Sequence, residues 1–161
     1  MAANQERNFY GQAAALLAGA RMGTLATSVE GIPHAALVTP ALDRQGRVVV
    51  LLSELSSHTK QLRRNPNYAL LVAGPALDEN PQTAPRLTLS GHAEVLNDVN
   101  TASGYLKTHP YAELYYGFGD FHFWRLSLKD AYYVGGFGRA ARLEIAALQH
   151  EIMSILESGY G

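Results

Sequence analysis

The chain has 161 residues, of which 47% are hydrophobic and 17% charged, with a formal net charge of -1. That balance belongs to a globular protein with a substantial core, and it supplies no global attraction for nucleic acid or an anionic membrane. Cysteine is absent, which excludes disulfides, thiolate nucleophiles and zinc–thiolate sites, and the apolar stretch Ala13 to Ala18 is too short to span a bilayer. No basic segment followed by an apolar run and a cleavage site is present, so the expected location is cytoplasmic.

In chain order, Asn4 to Ala18 reads as a helix with Phe9, Ala13, Leu16 and Leu17 on one stripe. Met22 to Thr27 is a short strand closed by the turn Val29-Glu30-Gly31. His34 to Leu42 is a second strand, and Asp43-Arg44-Gln45-Gly46 turns into a third, Arg47 to Leu52. Both are nearly continuous in apolar residues and are expected to be buried on two faces. Ser57 to Asn65 is a short helix with a serine cap, stopped by Pro66.

Tyr68 to Ala73 is a fourth strand. Gly74 to Pro85 carries three prolines and reads as a loop. Arg86 to Leu96 is a fifth strand, with Gly91 marking a bulge. Asp98 to Thr108 and Pro110 to Tyr116 read as helices separated by the proline. Phe121 to Val134 is a long sixth strand, broken near Lys129-Asp130. Gly135-Gly136-Phe137-Gly138 is a turn, and Leu143 to Leu156 is a final amphipathic helix. The pattern predicts a mainly β fold with flanking helices, a closed or partly closed barrel of five or six strands.

The chemistry concentrates in Ser53-Glu54-Leu55-Ser56-Ser57-His58-Thr59-Lys60, which leaves a buried strand and enters a helix. Free backbone N–H groups and the positive end of the helix dipole make such a start an anion site. Ser56, Ser57 and Thr59 can donate hydrogen bonds, and His58 or Lys60 can supply charge. On residue chemistry alone, an ordinary capped helix with a basic outer face explains the same run equally well.

Other motifs are weaker. Gly136-Phe137-Gly138-Arg139-Ala140-Ala141 has dinucleotide-loop spacing, but no second parallel strand or acidic residue about 20 positions on can follow before Gly161. The six histidines show no metal-binding spacing, and no nucleophile elbow is present. The aromatics from Tyr105 to Trp124 are dense without an interleaved basic stripe, which points to a core or subunit interface rather than to nucleic acid.

The stretch from Ser53 to Pro66 resembles the strand–loop–helix of the pyridoxamine 5'-phosphate oxidase-like superfamily, where such a run grips the phosphate of FMN. Gly23 to Thr27 with Gly31-Ile32-Pro33-His34 is similar to that superfamily's opening hairpin. Ala36-Leu37-Val38-Thr39 is similar to the strand running along the flavin ring, and Arg86 stands where a flavin-contacting glutamine is found. The resemblance covers roughly residues 20 to 140. It implies a six-stranded Greek-key split β-barrel, one FMN-binding domain over 1–161 with an N-terminal helix 4–18, a barrel of about 20–140 and a C-terminal helix 143–157. It further implies a homodimer with cofactor sites at the subunit interface and a small-molecule substrate. The implied FMN-binding residues are Ala36, Leu37, Val38, Thr39, Ser53, Ser57, His58, Thr59, Lys60 and Arg86.

Tyr105-Leu106, His109-Pro110, Tyr115-Tyr116, Gly119-Asp120-Phe121, Arg125-Leu126 and Gly135 to Ala140 resemble the haem-utilisation branch of the same superfamily. In that branch a C-terminal histidine holds haem near an acidic residue; the corresponding residues here are His150 and Asp120. The chain closes without the basic, Arg- and His-containing segment with which authentic pyridoxamine phosphate oxidase grips its substrate. Three functions follow from the resemblance: an FMN-dependent oxidoreductase, a haem-binding or haem-degrading protein, and a non-catalytic flavin carrier or sensor.

Overall fold

A computed structural model describes residues 2–159, with side chains from residue 8 onward. Helix α1 spans Ala2–Gly19. Its buried residues Ala13, Ala14 and Leu17 form the stripe that the helical period requires. Strands β1 (Gly23–Val29) and β2 (Ile32–Val38) form a hairpin. Glu30 and Gly31 both take positive φ (53° and 77°), the geometry whose twist matches two antiparallel strands.

The second strand is not one uniform ladder. Pairing with β1 ends at Val38, the chain bends at Thr39-Pro40, and β3 (Ala41–Leu42) pairs with β4 (Val48–Ser53). Proline has no N–H for a ladder, so the interruption falls there. The sheet order is β2-β1-β5-β6-β7-β4-β3, with β5 at Asn67–Ala73, β6 at Arg86–Val95 and β7 at Phe121–Val134. Since β2 and β3 lie at opposite ends of that order yet are consecutive in the chain, the bend joins the two ends. Counting β2–β3 as one kinked strand, six antiparallel strands curl into a split barrel.

The core fills the barrel with Leu25, Leu70, Leu87, Leu89, Val50, Leu126 and Trp124, and is sealed by α1 and by α4 (Ile145–Glu157). A smaller cluster on the other face of β4 gathers Val49, Leu51 and Tyr105 with Phe121 and Phe123. Strand β4 is therefore buried on both faces, as its composition predicts. Strand β2 is not: Ile32 stands beside the hairpin tip and Leu37 on the outer sheet face that also exposes Leu71, leaving them 71% and 69% exposed.

Gly91 sits at a register shift between Ser90 and Gly91, opposite the extra residue Lys129 of β7. A Cβ at Gly91 would lie 1.9 Å from the Ser127 carbonyl oxygen, so only glycine fits the bulge. Strand β7 accordingly runs unbroken, since a bulge absorbs the irregularity expected at Lys129-Asp130. The helix expected over Pro110 to Tyr116 is a short 3₁₀ helix, Pro110–Leu114, and α3 begins only at Thr101 (Thr101–Thr108). Asp98 instead forms a turn, accepting the Asn100 N–H at 2.9 Å and Arg47 Nη2 at 2.9 Å.

Strand β8 (Ala140–Leu143) was not expected. It pairs with β7 across Gly135–Gly138, so this glycine turn closes a β-hairpin rather than opening a helix. No helix among the described residues is long and apolar enough to cross a membrane.

Candidate functional site

Helix α2 (Ser57–Arg64) follows β4 after the turn Glu54-Leu55 and packs over the β1–β2 hairpin. Asp120 holds the first residue of that turn and the last residue of β4. Its backbone carbonyl accepts the Glu54 N–H at 2.7 Å, and its Oδ2 accepts the Ser53 hydroxyl at 2.8 Å. Ser53 Oγ in turn accepts the Leu55 N–H at 3.1 Å. Ser53 and Asp120 thus brace the entry to α2.

Ser56 occupies the capping position but does not cap. Its hydroxyl donates backward to the Ser53 carbonyl at 2.6 Å and makes no cap bond to the helix. The first turn also contains no acidic residue. Helix geometry leaves the N–H groups of Ser57, His58 and Thr59 without helical acceptors, and among the described residues no side chain replaces them. The serine cap expected from the sequence is corrected: the N-terminus of α2 stands open.

The other predicted residues distribute around this opening. Ser57 and Lys60 are exposed, and His58 is half-buried. Thr59 is fully buried, its hydroxyl 3.2 Å from Ser56 Oγ. Burial lowers the pKa of His58, and the nearby His34 of β2 lowers it further by charge repulsion. Behind the pair, the Thr27 hydroxyl donates to Gln61 Oε1 and ties α2 to β1.

Along β2, Leu37 is exposed, Ala36 half-buried and Val38 buried. Being terminal, the strand turns alternate N–H and C=O groups off the sheet. Its end is fixed by α3 and the turn after it. Tyr105 donates its hydroxyl to the Thr39 carbonyl at 2.9 Å, while His109 Nε2 lies 2.8 Å from the Pro40 carbonyl. Since a carbonyl can only accept, Nε2 carries the proton, and His109 Nδ1 accepts from Tyr111 at 3.1 Å. Burial keeps His109 below the usual histidine range.

Arg86 lies apart. Its guanidinium donates to the carbonyls of Gln82 and Ala84 at 2.9 and 3.0 Å. The register puts Arg86 beside Ala73, level with Met22, whereas His34 is level with Thr27. Five residues of strand separate the two levels by roughly 17 Å. His150 is exposed on α4, and no hydrogen bond or ion pair joins it to Asp120 among the described residues.

The sequence reading overlooked His34, Tyr105 and His109 as parts of this site. Strand alternation puts His34 opposite Thr27, but only the packing of α2 brings His58 to it. Tyr105 and His109 are four apart on one helical face, a spacing that was legible but whose target, the Thr39-Pro40 bend, was not.

Residues 13–149 match the family model for the CREG β-barrel. The chain belongs to the CREG β-barrel family. That family falls within the pyridoxamine 5'-phosphate oxidase-like split-barrel superfamily. The chloroplastic non-canonical heme oxygenase HOZ of Arabidopsis thaliana is 37% identical over 122 residues, covering 74% of this chain and 37% of HOZ. A heme binding protein from Mycobacterium smegmatis superposes with a TM-score of 0.79 at 28% identity, over 88% of this chain and 60% of that one. A Listeria innocua protein of the pyridoxamine 5'-phosphate oxidase type shares the fold alone, with a TM-score of 0.60 at 17% identity over 79% of this chain and 98% of that one. This CREG-family chain therefore spans 37% of the length of HOZ and 60% of that of the M. smegmatis protein.

Proposed function

We propose that this chain binds FMN and acts as a flavin-dependent oxidoreductase, with the cofactor phosphate at the start of α2. The observation that carries the reading is the uncapped N-terminus. Three N–H groups lack a helical or side-chain acceptor at the start of a helix whose capping serine has turned away, with no carboxylate in the first turn. A phosphate dianion fits that donor set.

Ser57 would add a hydroxyl, Lys60 a mobile charge, and His58 a charge that grows when an anion offsets the repulsion from His34. Main-chain groups of Ala36 to Thr39 would line the rest of the cofactor. Tyr105 and His109 would position that segment, since they hold the bend at its end. When bound, FMN supplies the redox chemistry, and the chain's part is binding and orientation.

A second copy of the chain completes this reading. Leu37, Thr24, Leu71, Thr88 and Tyr132 form one outward row across five strands. Leu37, Leu71 and Tyr132 are 69%, 40% and 40% exposed there. The adjacent row is Ala35, Ala26, Ala69 and Ser90, small enough for close approach of another sheet face. Arg86, too far along the sheet for its own α2, would then serve the partner's site.

Haem is the second reading, supported by the likeness to HOZ and to the M. smegmatis protein. Its residues here would be His150 and Asp120, which stand on separate elements, with one Asp120 carboxylate oxygen already accepting from Ser53. The deciding experiment is the absorption spectrum of the full chain after incubation with FMN and, separately, with haemin. Flavin bands retained through gel filtration support the first reading, and a retained Soret band with no flavin overturns it. Bleaching of the flavin by NADH or NADPH separates an oxidoreductase from a carrier.

A further inference from the structure

Away from α2, the β3–β4 turn forms the base of an open groove of about 820 Å³ between α1, α3 and the end of α4. Two glycines build it. At Gly104 a Cβ would lie 2.9 Å from the Asp43 Cα, so α3 packs directly on the turn. At Gly46, with φ of 74°, a Cβ would lie 2.8 Å from Met153 Sδ, which brings α4 onto the same turn. Over a side chain at position 104, α3 could not approach the turn backbone as closely, while at Gly46 the positive φ favours glycine and the nearest atom is the flexible end of Met153.

The groove has an apolar floor of Leu42, Met153 and Leu156, and a rim bearing Arg21, Arg44 and Lys107. These are three of only 13 basic residues in a chain whose net charge is -1. None of the three makes an ion pair or side-chain hydrogen bond among the described residues. Two carboxylates also line it. Asp43 is committed, accepting the N–H groups of Gln45 and Arg47 at 2.9 Å each and Arg47 Nε at 2.6 Å. That leaves Glu157 against three cations. Such an excess, held over a concave apolar surface of ligand size, matches a molecule with an anionic head and an apolar body.

We propose that this groove is a second ligand site, separate from the α2 site, for an amphipathic carboxylate or sulfonate. Lys107 stands one turn after Gly104 on α3, so the close packing that forms the wall also sets a cation over the floor. Arg44 projects from the turn that Asp43 ties down, which limits the ordering cost of engaging it.

The test is a fluorescence titration of the full chain with 8-anilinonaphthalene-1-sulfonate. Expected is one saturable site, displaced by laurate and not by dodecyltrimethylammonium, which has the same chain with the opposite charge. Replacing Arg21→Gln, Arg44→Gln and Lys107→Gln together should weaken binding by on the order of tenfold or more. Glu157→Gln should tighten it. Amide shifts on adding laurate should centre on Leu42 to Arg44 and Gly104 to Thr108. Unchanged affinity in the triple variant, equal competition by the cation, or shifts centred on β2 and β5 would each overturn the proposal. FMN binding is expected to be unaffected by the triple substitution, so the two sites fail independently.

Discussion

The hydroxyl of Tyr105 lies 2.8 Å from Thr39 Oγ1 and donates to the Thr39 carbonyl at 2.9 Å. Tyrosine has one hydroxyl proton, so with the carbonyl receiving it, the Thr39 hydroxyl must donate to the Tyr105 oxygen. The bend where the chain passes from one end of the sheet order to the other is therefore stitched from α3. Tyr105→Phe removes both bonds and leaves a carbonyl without its donor, a cost of about 1–3 kcal/mol. Urea denaturation should show that loss, and FMN affinity should fall with it, because the same bend ends the Ala36–Thr39 segment.

At the α2 N-terminus, His58→Ala with Lys60→Ala should cost about 3 kcal/mol of FMN binding, roughly a hundredfold in Kd, if charge-assisted bonds hold the phosphate. Quenching of flavin fluorescence measures it. An unchanged Kd removes both residues from the site.

Acid should destabilise the protein through two histidines. His58 and His109 both have their pKa lowered in the folded chain from an ordinary value of 6.5, in each case mainly by burial. The unfolded chain then binds more protons in the window below 6.5, so stability is full above that pH and declines as pH falls through it. For His109, protonation also ends acceptance from Tyr111 at Nδ1. Thermal melts from pH 7.5 to 5 should show the decline, and His58→Gln should make it shallower. FMN affinity should depend on pH less steeply in His58→Gln than in the natural chain.

Gly91→Ala should be among the most damaging single substitutions, since its Cβ meets the Ser127 carbonyl and neither backbone can retreat without breaking the β6–β7 ladder. A loss of more than about 3 kcal/mol is expected, read as a lowered Tm. Gly31→Ala, on an open hairpin tip with nothing near its Cβ, should cost less and act through its positive φ alone.

Leu37→Asp with Leu71→Asp should yield a monomer by light scattering if the exposed sheet face is the subunit interface. Unchanged mass would place the interface elsewhere.

Local pattern alone specified much of this protein. Periodicity located α1 and β4, the pair Glu30-Gly31 announced a hairpin, Gly91 marked a bulge, and the run into Ser57-His58-Thr59-Lys60 located the helix start. Each of these depends on neighbours in the chain, which is why the residues disclose them. The tertiary structure decided what depends on packing. The Thr39-Pro40 bend turns one apolar run into a bridge between the ends of the sheet, because proline cannot continue a ladder whose two halves have different partners. His34 and His58 come near each other, and Thr59 turns inward, because α2 lies on β1 and β2. Strand β8 exists because β7 is longer than β4 and leaves an edge to be paired. No local pattern encodes a competition between distant partners, and those competitions shape both the site at α2 and the groove under α3.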